Sequence, residues 1–165
     1  MQDDQPVKPA NILNIVASNQ GKFPVVASNA PSAPSLTPAK VQELMDAGSY
    51  VVDTRSPAEC GAGHIPGSIN IQMSSGEFEQ RVGWILPDNS RIILVTDTAV
   101  EAHKCMYNMA FIAMAGFVDG YLEDGIDQWL AVGRPTETVS QLSVQRLRVR
   151  LGEGIQLLDA RETDE

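Results

Sequence analysis

Ile92 to Val95 constrains the fold of this chain more than any other stretch. The run is uninterrupted and apolar, β-branched at Ile92, Ile93 and Val95, and Pro87-Asp88-Asn89-Ser90 punctuates its start. Such a run, without charge or alternation, reads as a strand buried on both faces of a parallel sheet. A helical pattern follows almost at once, with apolar positions at Ala102, Cys105, Met106, Met109, Ala110, Ile112 and Ala113, and with Gly116 expected to stop it. Tight strand-to-helix turns are where α/β proteins place anion sites and nucleophiles, because a helix N-terminus offers unpaired N–H groups and partial positive charge. Here the turn and first helical turn are Asp97, Thr98, Ala99, Val100, Glu101 and Ala102. The position best suited to catalysis carries two acids and no nucleophile.

The same reading extends outward from this centre. Thr37 as N-cap and Pro38 as first helical residue open a helix that Gly48 closes. Residues 50–53 and 68–71 read as strands with a loop over 54–67, and 75–84 has helical spacing. Residues 118–121 form another strand, and 126–132 a last short helix ending at Gly133. Strands and helices alternating at these intervals predict a three-layer α/β domain with a mainly parallel sheet flanked by helices. The full 165 residues suit one ordinary domain plus extensions. A net charge of -9 excludes polyanion partners, so neither nucleic acid nor an anionic membrane is expected. Cys60 and Cys105 are too few for a disulfide scaffold, and no apolar stretch is long enough to span a bilayer. The expected setting is cytoplasmic.

Outside the central domain, residues 1–35 read as the tail of an upstream domain plus a linker rich in Pro, Ser and Ala. The domain proper spans 36–134, and 135–141 reads as a second linker. Residues 142–165 then repeat the start of the domain without a gap, at an offset of 142 − 36 = 106 positions. Leu36/Leu142, Gly48/Gly154, Asp53/Asp159, Arg55/Arg161 and Glu59/Glu165 coincide, and Thr37/Ser143, Val41/Leu147 and Met45/Leu151 are near-equivalents. This predicts the truncated start of a second copy, with a helix striped by Leu142, Leu147 and Leu151 and a strand over 155–158.

Val51-Val52-Asp53-Thr54-Arg55, then Glu59, then Gly63-His64-Ile65-Pro66-Gly67-Ser68-Ile69-Asn70-Ile71, resembles the rhodanese-like domains. Ala115-Gly116-Phe117 and Gly125-Ile126-Asp127-Gln128-Trp129 are similar to two further signatures of that family. The resemblance implies a five-stranded, mainly parallel sheet and sulfur transfer through a cysteine persulfide in the turn after the central strand. Asp97 stands at the family's cysteine position. A carboxylate cannot hold a sulfane sulfur, and Asp97 with Glu101 would repel thiosulfate. Thr98-x-x-Glu101 also fits a capping box, which accounts for the acids structurally. The site expected is therefore not catalytic. Cys60 and Cys105 read as packed thiols, His64 as a loop-ordering residue and His103 as part of the first helical turns. Arg55 and Glu59 are expected to pair, with Asp53 capping backbone groups at its strand end.

Pro6 to Ile15 resembles the closing segment of metallo-β-lactamase-fold proteins that carry rhodanese domains, such as persulfide dioxygenase-like enzymes. That fold's ligand motif is absent, so no cofactor is assigned to this chain. Any iron or zinc would belong to the upstream domain. The expected function is a catalytically inactive module, a spacer or docking domain between neighbouring domains of a sulfur-metabolism protein. A homodimer is the other association expected. The alternative is an active thiosulfate or persulfide sulfurtransferase using Cys60 as sulfur carrier.

Overall fold

The computed structural model describes residues 11–22 and 32–158. In chain order its elements are α1 (Ile12–Asn19), β1 (Ser35–Leu36), α2 (Pro38–Asp46), β2 (Tyr50–Asp53), α3 (Pro57–Ala62) and β3 (Ile69–Asn70). Then come α4 (Phe78–Ile85), β4 (Ile92–Val95), α5 (Ala99–Phe111), β5 (Val118–Leu122), α6 (Gly125–Ala131) and α7 (Val144–Arg150). The sheet has the order β1-β5-β4-β2-β3, and every pairing in it is parallel.

β4 lies at the centre of this sheet, and its alternation divides the core in two. Ile92 and Leu94 point to one face, where Phe78, Val82, Cys105, Met106 and Met109 from α4 and α5 cover them. Ile93 and Val95 point to the other, against Val41 of α2 and Trp129 of α6. None of the four exceeds 1% exposure. The run without alternation is thus explained, and the expected α/β architecture is the one observed.

Four elements differ from the sequence reading. The fifth strand is β1, which straddles the expected boundary between linker and domain, with Ser35 on the linker side and Leu36 on the domain side. Its two residues pair with Tyr121 and Leu122, and they approach so closely that a Cβ on Gly120 would stand 2.6 Å from both Leu36 Cγ and the Pro34 carbonyl. Only glycine leaves that space. The loop over 54–67 contains α3, which starts with a complete capping box: Ser56 accepts from the Glu59 N–H, and the Glu59 carboxylate accepts from the Ser56 N–H.

α5 ends at Phe111, before the expected Gly116. Ala113 takes the left-handed turn instead, at φ 57°, so that Ala113 N–H bonds to Ala110 O and Met114 N–H to Met109 O. This is a Schellman closure, with Met114 buried against Met109 as its hydrophobic contact. Burying Met114 outweighs the cost of a left-handed alanine, while Gly116 falls in the short 3-10 turn Ala115–Phe117.

Beyond Gly133, the helix expected over the start of a second copy is present as α7, but the expected strand is not: residues 155–158 have no regular structure. A parallel strand needs a neighbour to satisfy its backbone, and α7 has no buried residue. The part of the predicted repeat over 159–165 lies outside the described residues, as do 1–10 and 23–31 of the predicted upstream tail and linker. Within that tail, α1 is anchored on the domain. Asn11 is 1% exposed and donates from Nδ2 to Ile112 O at 2.8 Å, and Asn14 donates to Asp88 Oδ1 at 2.8 Å.

Candidate functional site

The turn Thr96-Asp97-Thr98 joins the buried end of β4 to the N-terminus of α5. Thr96 is buried and its hydroxyl donates to Thr98 O at 2.9 Å, which holds the turn shut. Thr98 is the N-cap: its Oγ1 accepts from Glu101 N–H at 3.2 Å and its hydroxyl donates to Glu101 Oε2 at 3.3 Å. The forward half of the expected capping box is made, and the Glu101 carboxylate answers the hydroxyl. Ala99 and Val100 continue the exposed first turn, while Ala102 is buried.

Topology brings further acids to this turn. Because β5 is the neighbour of β4, its C-terminal end lies beside Asp97. Glu123 and Asp124 line a hollow of about 170 Å³ together with Ser35, Thr96, Asp97 and Tyr121. No Lys, Arg or His lines it. Glu123 and Asp124 escape a reading of the sequence, since strand order is not written in any local pattern.

On the β2 side, Asp53 and Arg55 form a buried bidentate pair. Asp53 Oδ1 accepts from Arg55 Nε at 3.0 Å and from its backbone N–H at 3.1 Å, and Oδ2 accepts from Nη2 at 2.5 Å. Arg55 Nη2 also reaches Gly63 O at 2.8 Å, and Asn70 Nδ2 donates to both the Asp53 and Arg55 carbonyls at 2.9 Å. The expected Arg55–Glu59 pairing is therefore corrected. Glu59 is committed to Ser56, whose side-chain and backbone bonds lower its pKa, and the positive end of Arg55 faces Asp53. Burial opposes the Arg55 charge, but Asp53's hydrogen bond and charge outweigh it and raise the guanidinium pKa.

The electrostatic balance at Asp97 is acidic. Partial burial, Glu59 and Glu101 raise its pKa, and Arg55 opposes them only in part. An acid with a raised folded pKa is destabilising above its unfolded value and costs nothing below it. Asp97→Asn should therefore raise the thermal midpoint at pH 7, and the gain should vanish below the ordinary value of 3.8. Unfolding scans at neutral and acid pH check this, and a lower midpoint at pH 7 would show Asp97 to be a structural acceptor.

Neither thiol is near its reactive form. Burial, then the Asp53 charge and hydrogen bond, push Cys60 up to about 11. Burial pushes Cys105 up to about 12, against a hydrogen bond with Thr54 that works the other way. At neutral pH a thiol near 11 is thiolate in only about one molecule in 10⁴. His64 Nδ1 lies 2.9 Å from Cys60 O, and His103 Nδ1 lies 2.6 Å from Ala99 O. Both histidines are thereby tied to backbone and not to each other. Among the described residues, no three His, Cys, Asp or Glu side chains converge as a metal set, and no helix is long and apolar enough to cross a membrane.

A family model described as "Rhodanese-like domain" matches residues 37–132, more than half of the chain. No curated protein matches. Among solved structures, the Alr3790 protein from Anabaena sp. superposes with a TM-score of 0.53 at 21% identity, over 70% of this chain and 100% of that one. A thiosulfate sulfurtransferase from Pseudomonas aeruginosa gives 0.52 at 21% identity, over 81% of this chain and 23% of that one. A metallo-beta-lactamase from Staphylococcus aureus gives 0.54 at 23% identity, over 73% and 32%. At these identities the likeness is one of fold.

Proposed function

The chain belongs to the rhodanese-like domain family, and from that premise we propose that this domain is a non-catalytic member, serving as a spacer or docking module beside other domains. The observation that carries the reading is the turn after β4. It presents Asp97 where the family resemblance places a sulfur-carrying cysteine, among Glu59, Glu101, Glu123 and Asp124. Sulfur transfer needs a thiolate to attack the outer sulfur of the donor and anion-binding groups to hold that donor. Here the thiol is absent from the turn and its surroundings repel anions.

The family is related to sulfurtransferases. The fold shared with a chain named metallo-beta-lactamase, of which this chain covers 32%, supports a place beside a metallo-β-lactamase-fold domain. Iron or zinc chemistry would then reside in that neighbour.

Incubation with thiosulfate followed by intact-mass spectrometry tests the reading. The expected result is no gain of a sulfur atom. A sulfur adduct on Cys60, lost in Cys60→Ser, would overturn the proposal and establish the sulfurtransferase alternative.

A further inference from the structure

The stretch 135–141 reads in sequence as a linker, yet the first part of it is bonded to the domain at every second residue. Trp129 Nε1 donates to Pro135 O at 2.8 Å. Glu137 and His64 exchange both backbone bonds, at 2.9 and 3.0 Å, as an isolated antiparallel bridge. Val139 N–H then bonds to Gly61 O at 2.9 Å. The anchors are themselves rigid: Trp129 is 1% exposed, and His64 is 8% exposed and tied to Cys60 O. Gly61 is part of the fit. A Cβ there would stand 2.6 Å from Val139 O, so an alanine would push the strap off α3.

What the strap leads to is equally specific. Ser143 caps α7 as Thr37 caps α2: both hydroxyls accept from the N–H three residues on at 3.3 Å, with Ncap angles of (−68°, 156°) and (−70°, 155°). Gly154 and Gly48 both take positive φ, 76° and 98°. The 106-residue offset thus recurs in backbone conformation as well as in residue type. From Val139 to Ser143 there are four peptide units, which reach at most about 14 Å.

We propose that residues 135–139 are a clamp that sets where a second structural unit, opening with α7, begins: on the α3 flank of the first. Two neighbouring units joined by a free linker would sample many arrangements, whereas this strap fixes the point of departure. The proposal deepens the spacer reading by naming the surface used. It stands apart from the question of activity, because a sulfur adduct would overturn that reading and leave the clamp untouched.

The test uses the full chain with a nitroxide on Gln145→Cys. The native thiols are buried and protonated, so labelling is selective for the new one. The expected result is paramagnetic broadening of the Gly61 and Ala62 amides, together with slow exchange at Glu137 and Val139. Gly61→Ala should speed exchange at those two amides by about tenfold or more and weaken the broadening, while β4 amides stay protected. Alanine is the better helix former, so a lost strap would not reflect a weakened α3. Should Gly61→Ala unfold the domain, Val139→Pro, which removes the donor to Gly61 O, tests the strap from outside α3 through exchange at the Glu137 amide and the broadening at Gly61 and Ala62. Fast exchange at Glu137 and Val139 in the unsubstituted sequence, absent broadening at α3, or variants that change neither signal would overturn the proposal.

Discussion

Asp97→Cys should leave the chain without efficient transfer of sulfur from thiosulfate to cyanide. The substitution supplies a thiol at the N-terminus of a 13-residue helix, where the dipole favours the thiolate. It supplies nothing else. Glu101 and Glu59 still oppose a negative charge at that point, and Glu123 and Asp124 still line the hollow that thiosulfate would have to enter. Arg55 does not redress the balance, because its guanidinium is spent on Asp53. Missing electrostatic stabilisation of an anionic transition state typically costs on the order of 10²–10³ in rate. The single variant should therefore stay at least about 10²-fold slower than the double variant Asp97→Cys/Glu101→Lys. Initial rates of thiocyanate formation decide the matter. Brisk turnover by Asp97→Cys alone would mean that the acidic surroundings have been given too much weight.

Arg55→Ala should cost about 3–5 kcal/mol of folding stability, the range for removing one partner of a buried ion pair. Asp53 is 1% exposed, and its carboxylate would be left with only neutral donors, the backbone N–H at position 55 and the Cys60 thiol. The loop carrying α3 would also lose the Arg55 bond to Gly63 O. Arg55→Lys should recover only part of the loss, since one ammonium cannot reproduce the two-pronged contact. Urea midpoints on the two variants check the prediction. A cost below about 1 kcal/mol for the alanine variant would place the pair with ordinary surface ion pairs.

The same pair shows where a sequence stops being readable. Asp53, Arg55 and Glu59 all stand out in the chain, and within a stretch read as a loop the expected pairing is Arg55 with Glu59. The choice falls to Asp53 because Ser56 engages Glu59 in a capping box over Ser56-Pro57-Ala58-Glu59, which the reading of 54–67 as a loop passes over. α3 is only six residues long, too short for apolar spacing to declare it, so the cap was its only local signal. β1 is shorter still and has no pattern at all. It exists because Tyr121 and Leu122 offer it a parallel edge and Gly120 leaves it room. By contrast β4, its turn and α5 were legible almost residue by residue, since burial on both faces writes itself into four successive side chains. The end of α5 was not, because the pull of a buried Met114 moved the left-handed residue from a glycine to Ala113. The acids gathered at Asp97 were half visible: Glu101 is local, whereas Glu123 and Asp124 arrive only through strand order.

That strand order also bears on how the chain comes to be folded as it leaves the ribosome. Of the five strands of this sheet β1 is the first in chain order, and its neighbour is the last, β5, with Ser35 opposite Tyr121. The separation is 121 − 35 = 86 residues. At about 5–20 residues per second, β1 waits roughly 4–17 seconds before its partner has been made. Before β5 is made, β2, β3 and β4 can successively pair among themselves, while Ser35 and Leu36 remain an unclaimed edge-seeking segment. A two-residue strand preceded by Pro34 offers little for another nascent chain to grip, so the shortness of β1 protects the protein during its own synthesis.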